Sequence, residues 1–244
     1  MNETCIELKN VSFAYDNNTI LQNISLRIDK GEAVGLVGAN GVGKSTLLNL
    51  LVGLRGGFGG SATVAGLPLT DANLPDIRAK AGYVLQDSDS QLFMSTVFED
   101  IAFAPRNYGL PATEVEQRVT QALELVGIPQ LRDKQIFKMS GGEKKLVAIA
   151  TVLAMRPEII LMDEPSIALD PRNRKNLIRL LNSFPQLKII ASHDLDLILD
   201  TCPRTVLLHQ RRIVYDGPTA AILANQELLQ AYGLELPLSL QRQK

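Results

Sequence analysis

Eight consecutive residues, Gly38-Ala39-Asn40-Gly41-Val42-Gly43-Lys44-Ser45, followed by Thr46, fit G-x-x-x-x-G-K-[ST], the Walker A pattern. The chemistry of that spacing is polyphosphate binding. Glycines let the backbone wind close around phosphates, and its N–H groups and a following helix dipole then face the charge. Lys44 would reach the β- and γ-phosphates, and Ser45 would ligate Mg²⁺. The motif lies between an apolar strand run from Ala33 to Val37 and a helix expected over residues 46–54.

A second element stands far downstream. Ile159-Ile160-Leu161-Met162 runs into Asp163-Glu164, a Walker B arrangement. Asp163 would hold Mg²⁺, directly or through water, and Glu164 would orient and deprotonate an attacking water. His193 closes Ile189-Ile190-Ala191-Ser192 at the edge where a nucleotide should lie. That placement suits a γ-phosphate sensor. Asp194 and Asp196 read as helix N-terminal acids, and His209 as structural. Gln86 ends the run Gly82-Tyr83-Val84-Leu85 and alone carries little weight. Met139-Ser140-Gly141-Gly142-Glu143 admits two readings. Ser140 with Glu143 is a capping box. A serine followed by two glycines at a helix N-terminus is also a bare cradle of N–H groups for an anion.

The elements that must position these residues are visible in the pattern. Ile6 and Leu8 share one strand face; the phase slips at Lys9-Asn10 and resumes at Val11, Phe13 and Tyr15, which predicts a bulge or a strand change. Asp16-Asn17-Asn18 is a turn signal, and Ile24, Leu26 and Ile28 alternate as a second strand. An antiparallel N-terminal sheet follows. The runs at 33–37, 159–162 and 187–191 are those of buried parallel strands, ending at Gly38, Asp163 and Ser192. Residues 88–156 read as helical. Thr113-Glu114-Val115-Glu116 reads as a capping box, with Gly127 as the stop and a second apolar stripe at Leu146, Ile149, Ala150 and Leu153. Strands around 206–208 and 213–215 form a late hairpin, and residues 220–232 a terminal helix.

Composition bounds the rest. The 244 residues, 45% of them hydrophobic, can bury a core and form one large domain or two small ones. A net charge of −1 argues against a dedicated nucleic-acid binder, so no nucleic-acid partner is expected. Cys5 and Cys202 fit no metal or redox spacing and are expected to be reduced, as in a cytosolic protein. Met1-Asn2-Glu3-Thr4 lacks an apolar signal core, and no apolar run reaches the roughly 18 residues of a membrane span. The chain is expected to dock on membrane proteins rather than cross a bilayer itself.

Taken in order, the Walker A loop, Gln86, Ser140-Gly141-Gly142, Asp163-Glu164, Leu169-Asp170 and His193 make the chain resemble an ABC-transporter ATPase subunit over essentially its whole length. The resemblance implies an α/β fold: a P-loop NTPase core of ABC-ATPase type, with an N-terminal antiparallel β subdomain and an inserted α-helical subdomain. The core would span about 1–87 and 157–244, and the helical part about 88–156. It implies ATP and Mg²⁺ as cofactors, ATP hydrolysis, and a peripheral place on the cytoplasmic face of the membrane. The implied partners are a second ATPase subunit, identical or paralogous, and integral-membrane subunits. Tyr15 would stack on adenine, and Gln86 would touch Mg²⁺ and link the site to the membrane partner. Ser140, Gly141 and Gly142 would hold the γ-phosphate of ATP bound to the other subunit, and Asp170 would close the segment coupling the two sites.

Two stretches narrow the resemblance. Residues 86–105 and the pair Ala191–Leu197 with Ile213–Pro218 are similar to the energy-coupling ATPases of cobalt and nickel uptake systems, and more loosely to vitamin-uptake relatives. Importers of other cargo, such as amino acids or peptides, are the nearest alternative. A soluble ABC ATPase acting on DNA or ribosomes would call for long insertions, a second cassette or a basic face, none of which is evident. Departures from the family pattern stand at Met139 and Glu143 beside the glycines, at Leu146 where relatives carry arginine, and at Ile167 where they carry a small residue.

Overall fold

The computed structural model describes residues 3–16 and 18–241. Met1, Asn2 and Asn17, the middle of the expected turn, lie outside the described residues. Strand β1 (Thr4–Tyr15) pairs antiparallel with β2 (Asn18–Asp29). The slip at Lys9-Asn10 is a bulge inside one strand: Asn10 takes φ 54°, and the register shifts between Leu8 and Val11. Ser25 Oγ pins it, accepting from Asn10 N at 3.0 Å. Ile6, Leu8, Val11 and Phe13 therefore all point inward.

The buried strand β3 (Ala33–Val37) leads into α1 (Lys44–Leu51). This helix starts earlier than expected, directly after Gly43, and ends earlier, where Gly53 turns the chain at φ 66°. Strands β4 (Gly59–Val64) and β5 (Leu67–Pro68) complete a four-stranded sheet of order β2-β1-β4-β5. Helix α2 (Leu74–Lys80) precedes β6 (Ala81–Val84). Strand β6 stops two residues short of Gln86, where Leu85 N turns aside to donate to Gln91 Oε1 at 2.9 Å.

Three helices follow: α3 (Val97–Asn107), α4 (Ala112–Leu125) and α5 (Gly141–Leu153). The capping box expected at Thr113 is absent. Helix α4 is already under way there, because Glu114 N and Val115 N both donate to Pro111 O. Proline, at φ −57°, sets the helix start without a side-chain cap, and Glu114 pairs with Arg118 instead. The capping boxes of this region are Thr96 with Glu99 on α3 and Ser140 with Glu143 on α5.

The chain returns through β7 (Ile159–Asp163), α6 (Pro171–Ser183), β8 (Leu187–Ala191), α7 (Leu195–Thr201), β9 (Arg204–His209) and β10 (Arg212–Pro218). The single terminal helix expected over 220–232 is two helices, α8 (Thr219–Leu223) and α9 (Gln226–Ala231). Asn225 breaks them: its side chain accepts from Leu228 N at 3.0 Å and so caps a new start. A short α10 (Leu238–Gln241) ends the described chain.

The second sheet has the order β10-β9-β3-β8-β7-β6, parallel from β9 to β6. Its two faces serve two cores. Ile159 and Leu161 pack toward the antiparallel sheet and α1, while Ile160 and Met162 pack toward the helices, the period-two alternation of a strand. Each such residue contributes about 1.5–3 kcal/mol of burial. The parallel arrangement puts the ends of β3, β7 and β8 on one edge, and with them Gly38, Asp163 and Ser192. Among the described residues no helix is long and apolar enough to cross a membrane.

Candidate nucleotide site

A cavity of about 220 Å³ opens on that edge, lined by Asn40, Gly41, Gly43, Lys44, Ser45 and Thr46 of the loop and by Ile20, Gln86, Asp163, Glu164 and His193 from other elements. The loop between β3 and α1 depends on two glycines. Gly38 takes φ 149°, and a Cβ there would lie 2.4 Å from Leu208 O. Gly43 takes φ 113°, and a Cβ there would lie 2.9 Å from Leu21 Cδ2. Ala39 and Val42 fill the loop between them, joined by a bond from Val42 N to Ala39 O at 3.4 Å. Helix α1 has no side-chain cap, so its first N–H groups face the cavity mouth without a built-in acceptor. Gly38→Ala is expected to abolish nucleotide binding, since the clash is with backbone; equilibrium binding of a fluorescent ATP analogue checks it.

Lys44 is 6% exposed and is held by its own loop. Its ammonium donates to Gly38 O at 2.7 Å and Ala39 O at 3.2 Å, and lies 3.1 Å from His193 Nε2. These partners are carbonyls and an imidazole, so among the described residues no carboxylate contacts the cation. Burial pushes its pKa down, against the fields of Glu164 and Asp163. The contact with His193 requires the imidazole to offer the Nε2 lone pair. The same nitrogen lies 3.5 Å from Glu164 Oε1, where it would have to donate. His193 Nε2 thus stands between a donor and an acceptor that ask for opposite tautomers.

Glu164 is 5% exposed and tightly fixed. It accepts from Ser192 Oγ at 3.0 Å and from His193 N at 3.0 and 3.2 Å, and its own N–H donates to Ala191 O at 2.8 Å. Its φ of 47° turns the chain sharply off β7. That conformation costs a non-glycine residue about 1–2 kcal/mol, which the surrounding bonds offset. Asp163 is also buried, and Tyr83 donates to its Oδ2 at 3.4 Å. Burial, reinforced by Asp163, pushes the Tyr83 phenol well above its usual value, so it stays a donor. Sequence reasoning placed no role on Tyr83 or Ile20; an aromatic with a polar tip inside a buried strand was the available signal for the first.

Two predicted groups lie apart from this cavity. Tyr15 stacks edge-on against Phe13 at 4.9 Å and accepts from Arg55 Nε at 3.0 Å. The exposed Ser140 caps α5: Glu143 N donates to its Oγ at 3.3 Å, and Ser140 N donates to Glu143 Oε2 at 2.8 Å. Lys134 grips the Glu143 carboxylate at 2.8 and 2.9 Å and holds its pKa below the usual range. Gly142 must lack a side chain, because a Cβ would lie 2.8 Å from Ala168 O. Ile167, beside it, is 45% exposed. Leu146, where an arginine was expected by resemblance, is buried in the helical core instead. Asp194 caps α7 and binds Arg174 at 2.6 and 2.8 Å, Asp170 caps α6, and the His209 ring packs on Tyr232. Asp196 receives the N–H groups of Leu238 and Ser239.

The model of the ABC transporter family matches residues 21–167, more than half the chain. This chain belongs to that family. It is an ABC ATPase, the ATP-binding and ATP-hydrolysing subunit of a transporter. A provisionally named ABC transporter ATP-binding protein of Geobacter sulfurreducens is 47% identical over 242 residues, covering 99% of this chain and 97% of the relative. An energy-coupling factor transporter ATP-binding protein of Methanothermobacter thermautotrophicus is 40% identical, covering 95% of this chain and 76% of the relative. Among solved structures, cbiO1 from Clostridium perfringens, part of the ABC transporter complex cbiONQ, superposes with a TM-score of 0.83 at 31% identity, covering 98% of each chain. The ABC ATPase fold expected from the sequence is the fold observed.

Proposed function

We propose that this ABC ATPase energises uptake of a transition-metal ion, cobalt or nickel, by closing with a second ATPase subunit around two MgATP. The observation that carries the catalytic part is the convergence of Lys44, Glu164 and His193 at one cavity edge. Lys44 leaves its loop carbonyls for the β- and γ-phosphates, and the N–H groups of Gly38 to Thr46 surround them. Glu164 orients water in line with the γ-phosphate and takes its proton, and His193 steadies the phosphate. The donor set fits Mg²⁺: Ser45 and Asp163 bring hard oxygens to the same cavity, which Gln86 also lines. When bound, the ion would neutralise phosphate charge. Tyr15 would stack on adenine. Ser140, Gly141 and Gly142 would complete the partner's site, and none of the three lines the cavity of its own chain.

The working unit we infer is one ATPase domain, with its core at about 1–87 and 157–244 and its helical part at about 88–156. It would sit on the cytoplasmic face of the membrane against integral subunits. Support comes from the relatives, one named as an energy-coupling factor ATPase and one as part of cbiONQ. The cargo rests on the sequence likeness of residues 86–105 to cobalt and nickel systems. Deletion of the gene is expected to lower cell-associated labelled cobalt or nickel several-fold. Unchanged metal uptake with a loss of vitamin, amino-acid or peptide uptake would transfer the proposal to another importer class.

A further inference from the structure

Helix α5 carries an unusual cation. Lys145 lies one turn beyond the signature glycines and is 2% exposed, yet none of its hydrogen bonds goes to a carboxylate. Its ammonium donates to Leu85 O at 3.0 Å and Gln86 O at 2.7 Å. Burial pushes its pKa down, and Asp163, Asp87 and Glu164 act against that from a distance. A buried ammonium on an otherwise apolar helix face is costly unless it is hydrogen-bonded, and a hydrophobe of similar volume would pack as well. What the lysine adds is a connection. Strand β6 has ended at Val84, so the carbonyls of residues 85 and 86 have lost their ladder partners, and α5 supplies the replacement.

A second strut runs beside it. Gln91 accepts from Leu85 N at 2.9 Å and donates to Ala148 O and Thr151 Oγ1 at 2.8 and 2.9 Å. Lys144 adds an ion pair to Asp89 at the surface. The backbone at residues 85–86 is therefore set by α5, while the exposed Gln86 lines the nucleotide cavity. From Gly142 to Lys145 is three residues, roughly 4.5 Å of helix rise. A shift of the α5 N-terminus is passed to Gln86 through the bonds of Lys145 to the carbonyls of Leu85 and Gln86.

Building on the two-site reading above, we propose that Lys145 is a positioning residue that ties the signature loop to Gln86 of the same chain. Docking of Ser140–Gly142 on one nucleotide then sets Gln86 over the other. The test uses the full chain, with turnover measured against ATP concentration, binding of a fluorescent ATP analogue and a thermal melt. The wild type is expected to give a sigmoidal curve with a Hill coefficient approaching about 2. Lys145→Met, which keeps the stem and removes the donors, is expected to bring it to about 1 and to lower kcat about tenfold. Analogue binding stays within about twofold, and Lys145→Arg restores most of the sigmoid. Wild-type cooperativity in Lys145→Met overturns the proposal, as does a loss of activity that only follows the melting temperature. If Lys145→Met does not fold, Gln91→Leu is read the same way, and retained cooperativity there overturns it. A wild-type chain that hydrolyses no ATP, either alone or with a paralogous ATPase subunit, removes the parent reading and this one with it; a hydrolysing wild type beside a sigmoidal Lys145→Met removes this one alone.

Discussion

Replacing Glu164 by glutamine is expected to cut ATP turnover by about 10²–10⁴-fold while leaving ATP binding nearly unchanged. The substitution keeps the side chain's size in a site where it is 5% exposed. It also keeps one acceptor oxygen for Ser192 Oγ or His193 N, which now bind the carboxylate. What disappears is the group that can take a proton from water. Lys44 and the glycine loop, which would hold the phosphates, are untouched. Single-turnover hydrolysis beside equilibrium binding separates the two effects. Wild-type turnover with normal binding would remove Glu164 as the base.

The same site explains how far the sequence could be read. Asp163, Glu164 and His193 were legible because each stands at the end of a short apolar run, and parallel strands bring such ends to one edge, while Lys44 was legible from the glycine spacing before it. The antiparallel sheet was legible from its alternation, and even its bulge at Asn10 from the phase slip. Other features were hidden for definite reasons. A lysine on an amphipathic helix reads as solvent-facing, so Lys145 gave no sign of being buried. Pro111 outcompeted Thr113 as the start of α4 because a fixed φ needs no side-chain bond. Asn225 divided the terminal helix through one local hydrogen bond, which apolar periodicity does not record.

The second large effect is expected at the signature loop. Ser140→Arg should leave nucleotide binding to the isolated chain intact and reduce hydrolysis at least about 100-fold. The capping role alone predicts something much smaller. Loss of the bond from Glu143 N costs about 1 kcal/mol, a fall of about 2–4 °C in melting temperature for a chain of this size. Because Ser140 does not line the cavity of its own chain, a large catalytic loss with intact binding requires a site completed by another subunit. A small fall in melting temperature with normal turnover would leave Ser140 as a helix start and nothing more.

The order of strands in the parallel sheet also sets a timetable for biosynthesis. Strand β3, which carries the phosphate loop, lies between β8 and β9, and both are encoded in the last third of the chain. At 5–20 residues per second, the ribosome leaves β3 with two bare edges for roughly 8–30 s. During that interval the loop has neither Leu208 O nor His193 to shape it. A ligand that needs the finished loop adds its binding free energy only once those two strands are in place.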